Sequence, residues 1–265
     1  MRTLKLTIAY DGTRYAGWQR QAVTRSAFGV RRSEAKVPTV QGTLERVLSR
    51  VLDERVHVVG SGRTDSGVHA LAQVAHVRSA NHMPLATLRR ALNQLLPPDI
   101  VVTGIARAGA TFHARFSAKR KRYRYRLALT PAPSPFARHY AYHVRGLLRI
   151  AAMRRAARAL KGAHDFKPFQ VAGRHTTNTT RCVTDLRWVR RDGELWFEIE
   201  ANGFLYKMIR RIMGTLLDVG RGSKPPTVIK NILRHGNPCL VGPTAPAHGL
   251  TLVSVTYILP ALRSR

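Results

Sequence analysis

The sequence predicts an α+β fold built from two similar halves, each with the element order β-α-β-β-α-β. Two patterns indicate this fold: short runs in which apolar and polar residues alternate, as in half-buried strands, and longer runs with apolar residues at helical spacing. With 265 residues, the chain is long enough for one large domain or two modest ones. We expect the halves to span residues 1–108 and 109–265, with antiparallel or mixed sheets and a basic cleft between them.

Four strands and two helices are predicted for the first half. Leu4, Leu6 and Ile8 alternate with polar residues, which indicates the first strand. Thr39 precedes a run with apolar residues at helical spacing and is a suitable helix N-cap, while Pro84 marks the start of a second helix. The remaining predicted strands cover residues 56–59, 73–77 and 100–105, and the second helix extends to residue 95.

The second half repeats this order, although no sequence repeat is present. Its hairpin is indicated by Asp192 and Gly193, a pair that favours the tight turn between two antiparallel strands. A proline-rich stretch at residues 131–135 indicates a loop. The predicted strands cover residues 119–129, 182–189, 195–201 and 250–258, and the predicted helices cover residues 147–160, 204–219 and 228–233.

The charge of the chain indicates a polyanionic partner. Lys and Arg total 45 and Asp and Glu total 14, which gives a formal net charge of +31. Of the 45 basic residues 36 are arginine, a side chain that makes planar contacts with phosphate and stacks on bases. Codon bias in a GC-rich genome would also favour arginine over lysine, but it does not explain the scarcity of acidic residues. Nucleic acid is therefore the expected partner.

Composition also argues against several classes of protein. Cys182 and Cys239 have neither metal-binding spacing nor the number needed for a disulfide framework, which favours a reducing cytoplasm. No run of about 18 apolar residues predicts a transmembrane helix, and the strand pattern at the N-terminus leaves no room for a signal peptide. The basic residues are not gathered on one amphipathic helix, so a membrane surface is not the expected partner.

The most informative stretch is the loop of residues 62–70 (GRTDSGVHA). It places one carboxylate, Asp65, between Gly62 and Gly67, with Arg63 two residues upstream. Glycines permit backbone angles that other residues avoid, and loops held between glycines often present catalytic groups. A turn capped by the Asp65 side chain would explain the same residues, and local chemistry leaves the two interpretations open.

The residue types present argue against several chemistries on nucleotides. A zinc-dependent deaminase needs His and Cys ligands at set spacing, a dinucleotide-binding fingerprint needs a glycine where Asp65 stands, and a Walker P-loop is missing. A hydrolytic glycosidase needs two carboxylates, whereas the loop offers one. A single carboxylate suits a reaction that breaks a glycosidic bond without water or a departing base, such as the isomerisation of uridine to pseudouridine.

Four further segments accompany this loop. They are residues 10–21 (YDGTRYAGWQRQ), 40–45 (VQGTLE), 112–118 (FHARFSA) with 122–126 (RYRYR), and 202–204 (NGF) with Met208, Ile209, Arg210 and Gly214. In this order and spacing, the five segments resemble the TruA family of tRNA pseudouridine synthases, and the match spans essentially the whole chain. The resemblance implies an isomerase that modifies uridines 38 to 40 of the tRNA anticodon stem-loop, without metal or organic cofactor, as a homodimer.

The resemblance also implies roles for particular residues. Asp65 is the expected nucleophile, and it stays open whether it attacks the ribose C1′, attacks uracil C6 or assists a glycal intermediate. Arg63 would enter the RNA and hold the target nucleotide out of the stack, with a phosphate contact as the alternative. Tyr123 would pack over the target base and Leu250 against its other side. Arg210 would pair with the Asp65 carboxylate.

Alternation along the strand 119–129 supports an RNA-binding role for its arginines. Four arginines, Arg120, Arg122, Arg124 and Arg126, share one face, where they would repel one another unless phosphates or carboxylates lay against them. We expect Arg120, Arg122 and Arg124 to contact the substrate, because cations that alternate with aromatic residues are typical of single-stranded RNA binding. Tyr125, on the other face, is expected to be a core residue.

The chemistry of single residues adds further expectations. Arg210 lies among apolar residues on its helix and needs an anionic partner, whereas Arg211 is expected to be solvated. Without the resemblance, Leu250 would be read as a core leucine. His69 and His76 are expected to be structural, because nothing pairs them with a reacting group.

Two departures from the family pattern bear on function. Ser66 stands where the family loop usually has alanine, and we expect activity to survive because serine is small. Residues 23–38 form an extra basic segment, expected to be a surface loop that adds RNA contact. A non-catalytic RNA-binding or chaperone protein of this fold, and a synthase acting on another RNA, are the alternative functions. The presence of Asp65, Tyr123 and Arg210 argues against the first of them.

Overall fold

The structure, a computed structural model, describes residues 1–20, 37–171 and 176–257, and it confirms the α+β class. The chain divides into two compact units, Met1–Ser117 and Ala118–Arg265, so residues 109–117 belong to the first unit. Each unit combines α-helices with largely antiparallel strands. Residues 23–36 of the extra basic segment, and residue 258 of the last predicted strand, lie outside the described part of the chain.

Among its described residues, the first unit has two helices and four strands in the predicted order. The strands are arranged β4-β1-β3, with the short β2 added to β3, and every pair is antiparallel. The elements are β1 Arg2–Tyr10, α1 Val40–Leu52, β2 Val59–Gly60, β3 His69–Ser79, α2 Leu85–Leu95 and β4 Ile100–Ala108.

The core of the first unit is formed by alternate residues of β1 together with the apolar stripes of α1 and α2. Leu4, Leu6 and Ile8 are buried, as their alternation predicted. α1 begins as expected after Thr39, whose Oγ1 accepts a 3.2 Å hydrogen bond from the backbone N of Gly42. The cap and the apolar stripe therefore agree on where this helix begins and which face it buries.

β2 is shorter than the strand predicted over residues 56–59. The backbone N of Val56 donates to Ser49 Oγ at 3.2 Å, and the backbone N of Val58 donates to Glu45 Oε1 at 3.1 Å. Side chains of α1 thus take the amides that a neighbouring strand would need, so ladder pairing is confined to the two residues of β2.

The second unit follows the same general order, with additional short strands and an additional helix. Its main strands are arranged β10-β5-β9-β8-β7, all antiparallel, and β6 runs parallel to the end of β5. The elements are β5 Arg120–Ala128, β6 Tyr142–His143, α3 Ile150–Arg158, β7 Gly162–Asp165, β8 Thr180–Arg191, β9 Glu194–Ala201, α4 Met208–Arg221, α5 Val228–His235 and β10 Leu250–Thr256.

Two helices of the second unit begin later than predicted. Lys207 has a left-handed backbone with φ of 58°, which cannot belong to a right-handed helix, so α4 begins at Met208 and not at residue 204. α3 begins at Ile150, because the preceding Arg149 has ψ of 74°, outside the helical region. β7 was not predicted, since Gly, Ala and Asp have low strand propensity, and it is formed by pairing with β8.

Candidate active site

The loop that carries Asp65 is anchored at its start by a buried glutamine. Gln73, on β3, is 0% exposed. Its Oε1 accepts a hydrogen bond from Ser61 Oγ at 2.7 Å, and its Nε2 donates to the carbonyl O of Gly62 at 2.9 Å. Ser61, just before the loop, and Gly62, its first residue, are therefore both fixed to β3 by one side chain.

The middle of the loop is held by the segment that includes and follows the end of β1. The hydroxyls of Tyr10 and Thr64 form a 2.8 Å hydrogen bond, and the backbone N of Trp18 donates to Thr64 O at 3.1 Å. A methyl group on Gly17 would lie 2.6 Å from Thr64 O, so this close approach requires glycine. Burial raises the pKa of Tyr10 to about 12, although hydrogen bonds with Thr64 and Gln73 oppose the rise, so the hydroxyl stays protonated at neutral pH.

A tight turn follows Thr64 and presents Asp65. The backbone N of Val68 donates to Asp65 O at 3.2 Å, and Gly67 has φ of 75°, a left-handed conformation that favours glycine. The main chain of Asp65 thus takes part in closing this turn. On the other side, a methyl group on Gly12 would lie 2.1 Å from Val68 O, which shows that the two backbones are in direct contact.

His69 and Ser66 complete the support of this turn. His69 is buried, and its Nδ1 accepts a 3.0 Å hydrogen bond from the backbone N of Gly12, which confirms that it is structural. Ser66 Oγ donates to Tyr15 O at 3.1 Å. The hydroxyl that replaces the usual alanine is therefore accommodated and has a partner.

The loop carries two residues with predicted roles in the reaction, Arg63 and Asp65. Arg63 is exposed and Asp65 is half-buried. The residues around them are fixed to β1 and β3, so the Asp65 carboxylate is carried on a rigid support. A carboxylate presented in this way can act as a nucleophile or a base towards a bound nucleotide.

In the second unit, Tyr123 and Tyr125 lie on the buried face of β5. Tyr123 is 7% exposed, and its ring meets Phe204 edge-on with 5.1 Å between the ring centroids. Tyr125 is fully buried and its hydroxyl donates to Pro246 O at 2.8 Å, which confirms it as a core residue. Leu250 pairs with Tyr125 in the β10–β5 ladder and is also buried. Tyr123 and Leu250 are thus both held by well-packed neighbouring strands.

Arg210 lies in the first turn of α4 and is tied to the segment that precedes β10. Its Nε donates to Ala245 O at 2.7 Å, and the backbone N of Ala245 donates to Arg210 O at 3.0 Å. The segment comes so close to α4 that a methyl group on Gly214 would lie 1.7 Å from Pro243 O. Gly214 is one of the residues that carry the family resemblance, and this contact gives it a packing role.

Arg211 is half-buried and bound to two backbone carbonyls, so it is less solvated than expected. Its Nη1 donates to the carbonyl O atoms of Pro168 and Gln170, both at 3.0 Å. Burial lowers the pKa of the Arg211 guanidinium. The sequence pattern could not reveal these contacts, because the turn that supplies the two carbonyls lies about 40 residues away in the chain.

The arginine face of β5 meets carboxylates from β8 and β9. Arg122 contacts Asp185 at 2.9 Å and Glu200 at 3.0 Å, and Arg124 contacts Glu198 at 2.7 Å. The sequence did not decide whether phosphates or carboxylates relieve the repulsion between these arginines. In the structure, carboxylates of the same unit do so. The pairing itself is therefore no sign of RNA binding by Arg122 or Arg124.

The described part of the chain, residues 1–20, 37–171 and 176–257, holds neither a metal-binding cluster nor a membrane-spanning helix. Within it, no three His, Cys, Asp or Glu side chains are grouped to bind a metal ion. No helix in the same ranges has the length and hydropathy needed to cross a bilayer. Cys182 and Cys239 are free thiols.

Comparison with known proteins defines the class of this chain as pseudouridine synthase, with residues 7–117 and 156–258 matching the tRNA pseudouridine synthases. The chain is 40% identical to tRNA pseudouridine synthase A of Thermoanaerobacter sp. (strain X514), over 97% of this chain and 100% of that protein. It is 42% identical to the protein of the same name from Acetivibrio thermocellus, with the same coverage, and 43% identical to that from Anoxybacillus flavithermus, over 97% and 99%. The chain therefore belongs to the tRNA pseudouridine synthase family and is an isomerase.

A solved structure is similar at a much greater distance. A chain in the crystal structure of a Cbf5-Nop10-Gar1 complex has a TM-score of 0.35 and 11% identity, over 78% of this chain and 43% of that chain. This similarity is too low to carry an argument about residues of the site.

The sequence analysis missed the residues that hold the Asp65 loop. Tyr10 and Thr64 lie within the quoted segments, but nothing in their spacing shows that their hydroxyls meet. Gln73 stands at the start of an otherwise apolar run in β3, and a polar residue in that position is the signal that could have identified it.

Proposed function

We propose that this chain converts uridine to pseudouridine at positions 38 to 40 of the tRNA anticodon stem-loop, with Asp65 as the nucleophile. The observation that carries the proposal is the half-buried Asp65 on a loop held by buried hydrogen bonds from Tyr10 and Gln73. The family to which the chain belongs supplies tRNA as the substrate class.

The proposed reaction uses no water and releases no base. The N1–C1′ bond of the target uridine breaks, the uracil turns, and C5 forms a new bond to C1′. The hydrogen on C5 leaves as a proton and N1 gains a proton, so atoms and electrons balance. Attack at C1′, attack at C6 and the glycal route all require an ionised Asp65 close to the target nucleotide.

Four residues are proposed to position this nucleotide and the carboxylate. Arg63 is exposed two residues before Asp65 and would take the place of the extruded base in the RNA stack. Tyr123 and Leu250, on adjacent strands, would contact the two sides of the uracil. Arg210 would pair with the Asp65 carboxylate and orient it.

The proposed phosphate contacts of β5 rest mainly on Arg120. The side chain of Arg120 is 56% exposed, against 18% for Arg122 and 23% for Arg124. Log affinity for tRNA should fall steeply with log salt concentration. Arg120→Gln should reduce that slope by about 1, the value expected for one lost phosphate contact. Arg120 also lies 3.5 Å from Glu200, so the exposure of its side chain is what distinguishes it. Arg124→Gln serves as the matched control, and an equal reduction for it would show that the less exposed arginines bind RNA as well.

The proposal is tested by Asp65→Asn, which keeps the size of the side chain and removes its charge and nucleophilicity. Because isomerisation must exchange the hydrogen on C5, release of tritium from tRNA labelled with 5-³H-uridine measures the reaction directly. The variant should release no detectable tritium while binding tRNA about as well as the wild type. Release near the wild-type rate would refute the role of Asp65.

Asp192→Asn is the control for the chemical change from carboxylate to amide. Asp192 is exposed in the β8–β9 turn, where asparagine tolerates the left-handed backbone (φ 44°), so tritium release should be unchanged.

Wild-type protein that binds tRNA but releases no tritium would favour the non-catalytic alternative. Mapping pseudouridine in tRNA with and without the gene tests positions 38 to 40, and the sedimentation mass of the free protein tests the accompanying proposal of a homodimer.

A further inference from the structure

The segment of residues 112–118 carries part of the family resemblance but has no role in the chemistry proposed above. Its residues 112–117 end the first unit, and Phe116 is 75% exposed. A single exposed apolar side chain is common on protein surfaces, so a function for Phe116 must follow from how its ring is held and from what lies beside it.

Hydrogen bonds fix the backbone that presents Phe116. His113 Nδ1 accepts from the backbone N atoms of Arg115 and Phe116, both at 3.2 Å. The backbone N of Ser117 donates to His113 O at 2.9 Å, and Ser117 Oγ accepts from the backbone N of His113 at 3.1 Å. The exposed ring is thus held in place by its own segment and is not a feature of a loose chain end.

The ring of Phe116 is the outer member of an aromatic stack. Its centroid lies 4.4 Å from that of His113 with 30° between the planes, and His113 lies 4.8 Å from the buried His76. His76 Nδ1 accepts a hydrogen bond from the backbone N of Ala114, which ties the stack to β3. With 75% of Phe116 exposed, the surface of the ring away from His113 is open to a planar group.

Positive charge surrounds this ring. The guanidinium carbon of the exposed Arg115 lies 5.6 Å from the Phe116 centroid, and Lys5 Nζ lies 5.9 Å from the centroid of Phe112. A planar group attached to negative charge suits the ring and these cations, and an unpaired nucleotide has both.

We propose that the Phe116 ring, backed by His113 and flanked by Arg115, is a stacking site for one unpaired base of the tRNA substrate. The proposal rests on tRNA being the substrate and adds a binding site outside the proposed catalytic residues. A single exposed ring matches the area of one base, whereas a stable protein interface needs about 1,000 Å² or more. Stacking on an open ring also tolerates any base, so the site would add affinity without selecting a sequence.

Phe116→Leu and Phe116→Trp separate stacking from simple apolar contact. Leucine keeps an apolar side chain of similar size but has no flat face, and it should weaken tRNA binding about 5- to 100-fold, the range that one stacked base supplies. Tryptophan should restore wild-type affinity or exceed it. Affinity is measured by fluorescence anisotropy of labelled tRNA at fixed salt, and kcat at saturating tRNA should stay within about twofold for both variants, because the ring acts in binding.

Phe136→Leu is the matched control. Phe136 is 90% exposed in the second unit, directly after the proline-rich stretch of residues 131–135, so its replacement tests whether loss of any exposed phenylalanine weakens binding. The inference is overturned if Phe116→Leu binds tRNA like the wild type, if Phe116→Trp binds as weakly as Phe116→Leu, or if both leucine variants lose affinity equally. A changed sedimentation mass for Phe116→Leu would also overturn it, because the ring would then contact another protein chain.

The outcomes distinguish this inference from the proposed function. Tritium release by the wild type with normal tRNA binding by Phe116→Leu would refute the stacking site and leave the proposed reaction intact. Absence of tritium release by the wild type would refute the reaction, while the comparison of leucine and tryptophan at position 116 would still decide whether the ring stacks on RNA.

Discussion

Replacing Gln73 by leucine tests whether the buried hydrogen bonds position the Asp65 loop. The two side chains have similar volume, so the change removes hydrogen bonds and leaves little void. It deprives the Ser61 hydroxyl and the Gly62 carbonyl of their partner. An unsatisfied buried polar group costs about 1 to 3 kcal/mol. Because Gly62 is half-buried and water reaches part of it, we expect the free energy of unfolding to fall by about 2 to 4 kcal/mol in total.

The same substitution should lower kcat by about 10- to 100-fold, since displacing a catalytic group by about 1 Å can cost that much. Affinity for tRNA should change little, because Gln73 is 0% exposed and cannot touch RNA. Urea unfolding measures the loss of stability, and tritium release at saturating tRNA measures kcat. Both are recorded at a temperature at which the variant is fully folded.

Leu88→Ala provides a control with matched loss of stability. Leu88 is 0% exposed in α2, and its truncation should cost about 2 to 5 kcal/mol without altering any contact described for the Asp65 loop. Its kcat, measured on folded protein, should equal that of the wild type. If Gln73→Leu lowers kcat no more than Leu88→Ala does, the hydrogen bonds stabilise the unit but do not position Asp65.

Three further predictions concern the loop and the ion pairs. Gly67→Ala and Gly236→Ala both place a side chain on a left-handed backbone (φ 75° and 65°), so each should lower the free energy of unfolding in urea by about 1 to 2 kcal/mol. Only Gly67→Ala should reduce tritium release. Equal rates of tritium release by the two variants would argue against a role for the turn. Ser66→Ala removes one hydrogen bond at an exposed residue, so kcat should stay within about twofold, and a larger loss would show that the hydroxyl is needed. Burial acts to raise the pKa of Glu194, but hydrogen bonds and charge from Arg126 outweigh it and the folded-state pKa is lowered; the stability from this pair is therefore present above the ordinary pKa of 4.5 and lost as pH falls through the lower value. Glu194→Gln should accordingly show a smaller drop in Tm between pH 6 and pH 3 than the wild type, and identical drops would contradict the pairing.

The elements that the sequence predicted well are those that local patterns determine. Alternation alone identified β5, and the structure confirms that Tyr125 points into the core while Arg124 lies on the other face. For α1, the N-cap Thr39 and the apolar spacing act within a few residues of each other. Asp65 could be singled out for a similar reason, because the glycines that shape its loop are close to it in the chain.

The features that the sequence could not predict depend on contacts between distant residues. The hydrogen bond between Tyr10 and Thr64 joins residues 54 positions apart, and no pattern in either segment predicts it. β2 lost most of its predicted length because Glu45, on a helix, takes an amide that a strand would have used. The carboxylates opposite Arg122 likewise lie more than 60 residues further along the chain.

The contact between Gly214 and Pro243 has a consequence for motion. The backbones of Gly214 and Pro243 touch, and Ala245 exchanges hydrogen bonds with Arg210. Therefore α4 cannot shift without moving the segment that precedes β10. Arg210 and Leu250, 40 positions apart in the chain, would then open and close as one cooperative unit. In hydrogen exchange, the amide of Ala245 should exchange at a rate close to that of the α4 interior, far slower than is usual for a connecting segment. A substitution at Gly214 that breaks the contact with Pro243 should speed amide exchange around Arg210 and around Leu250 together.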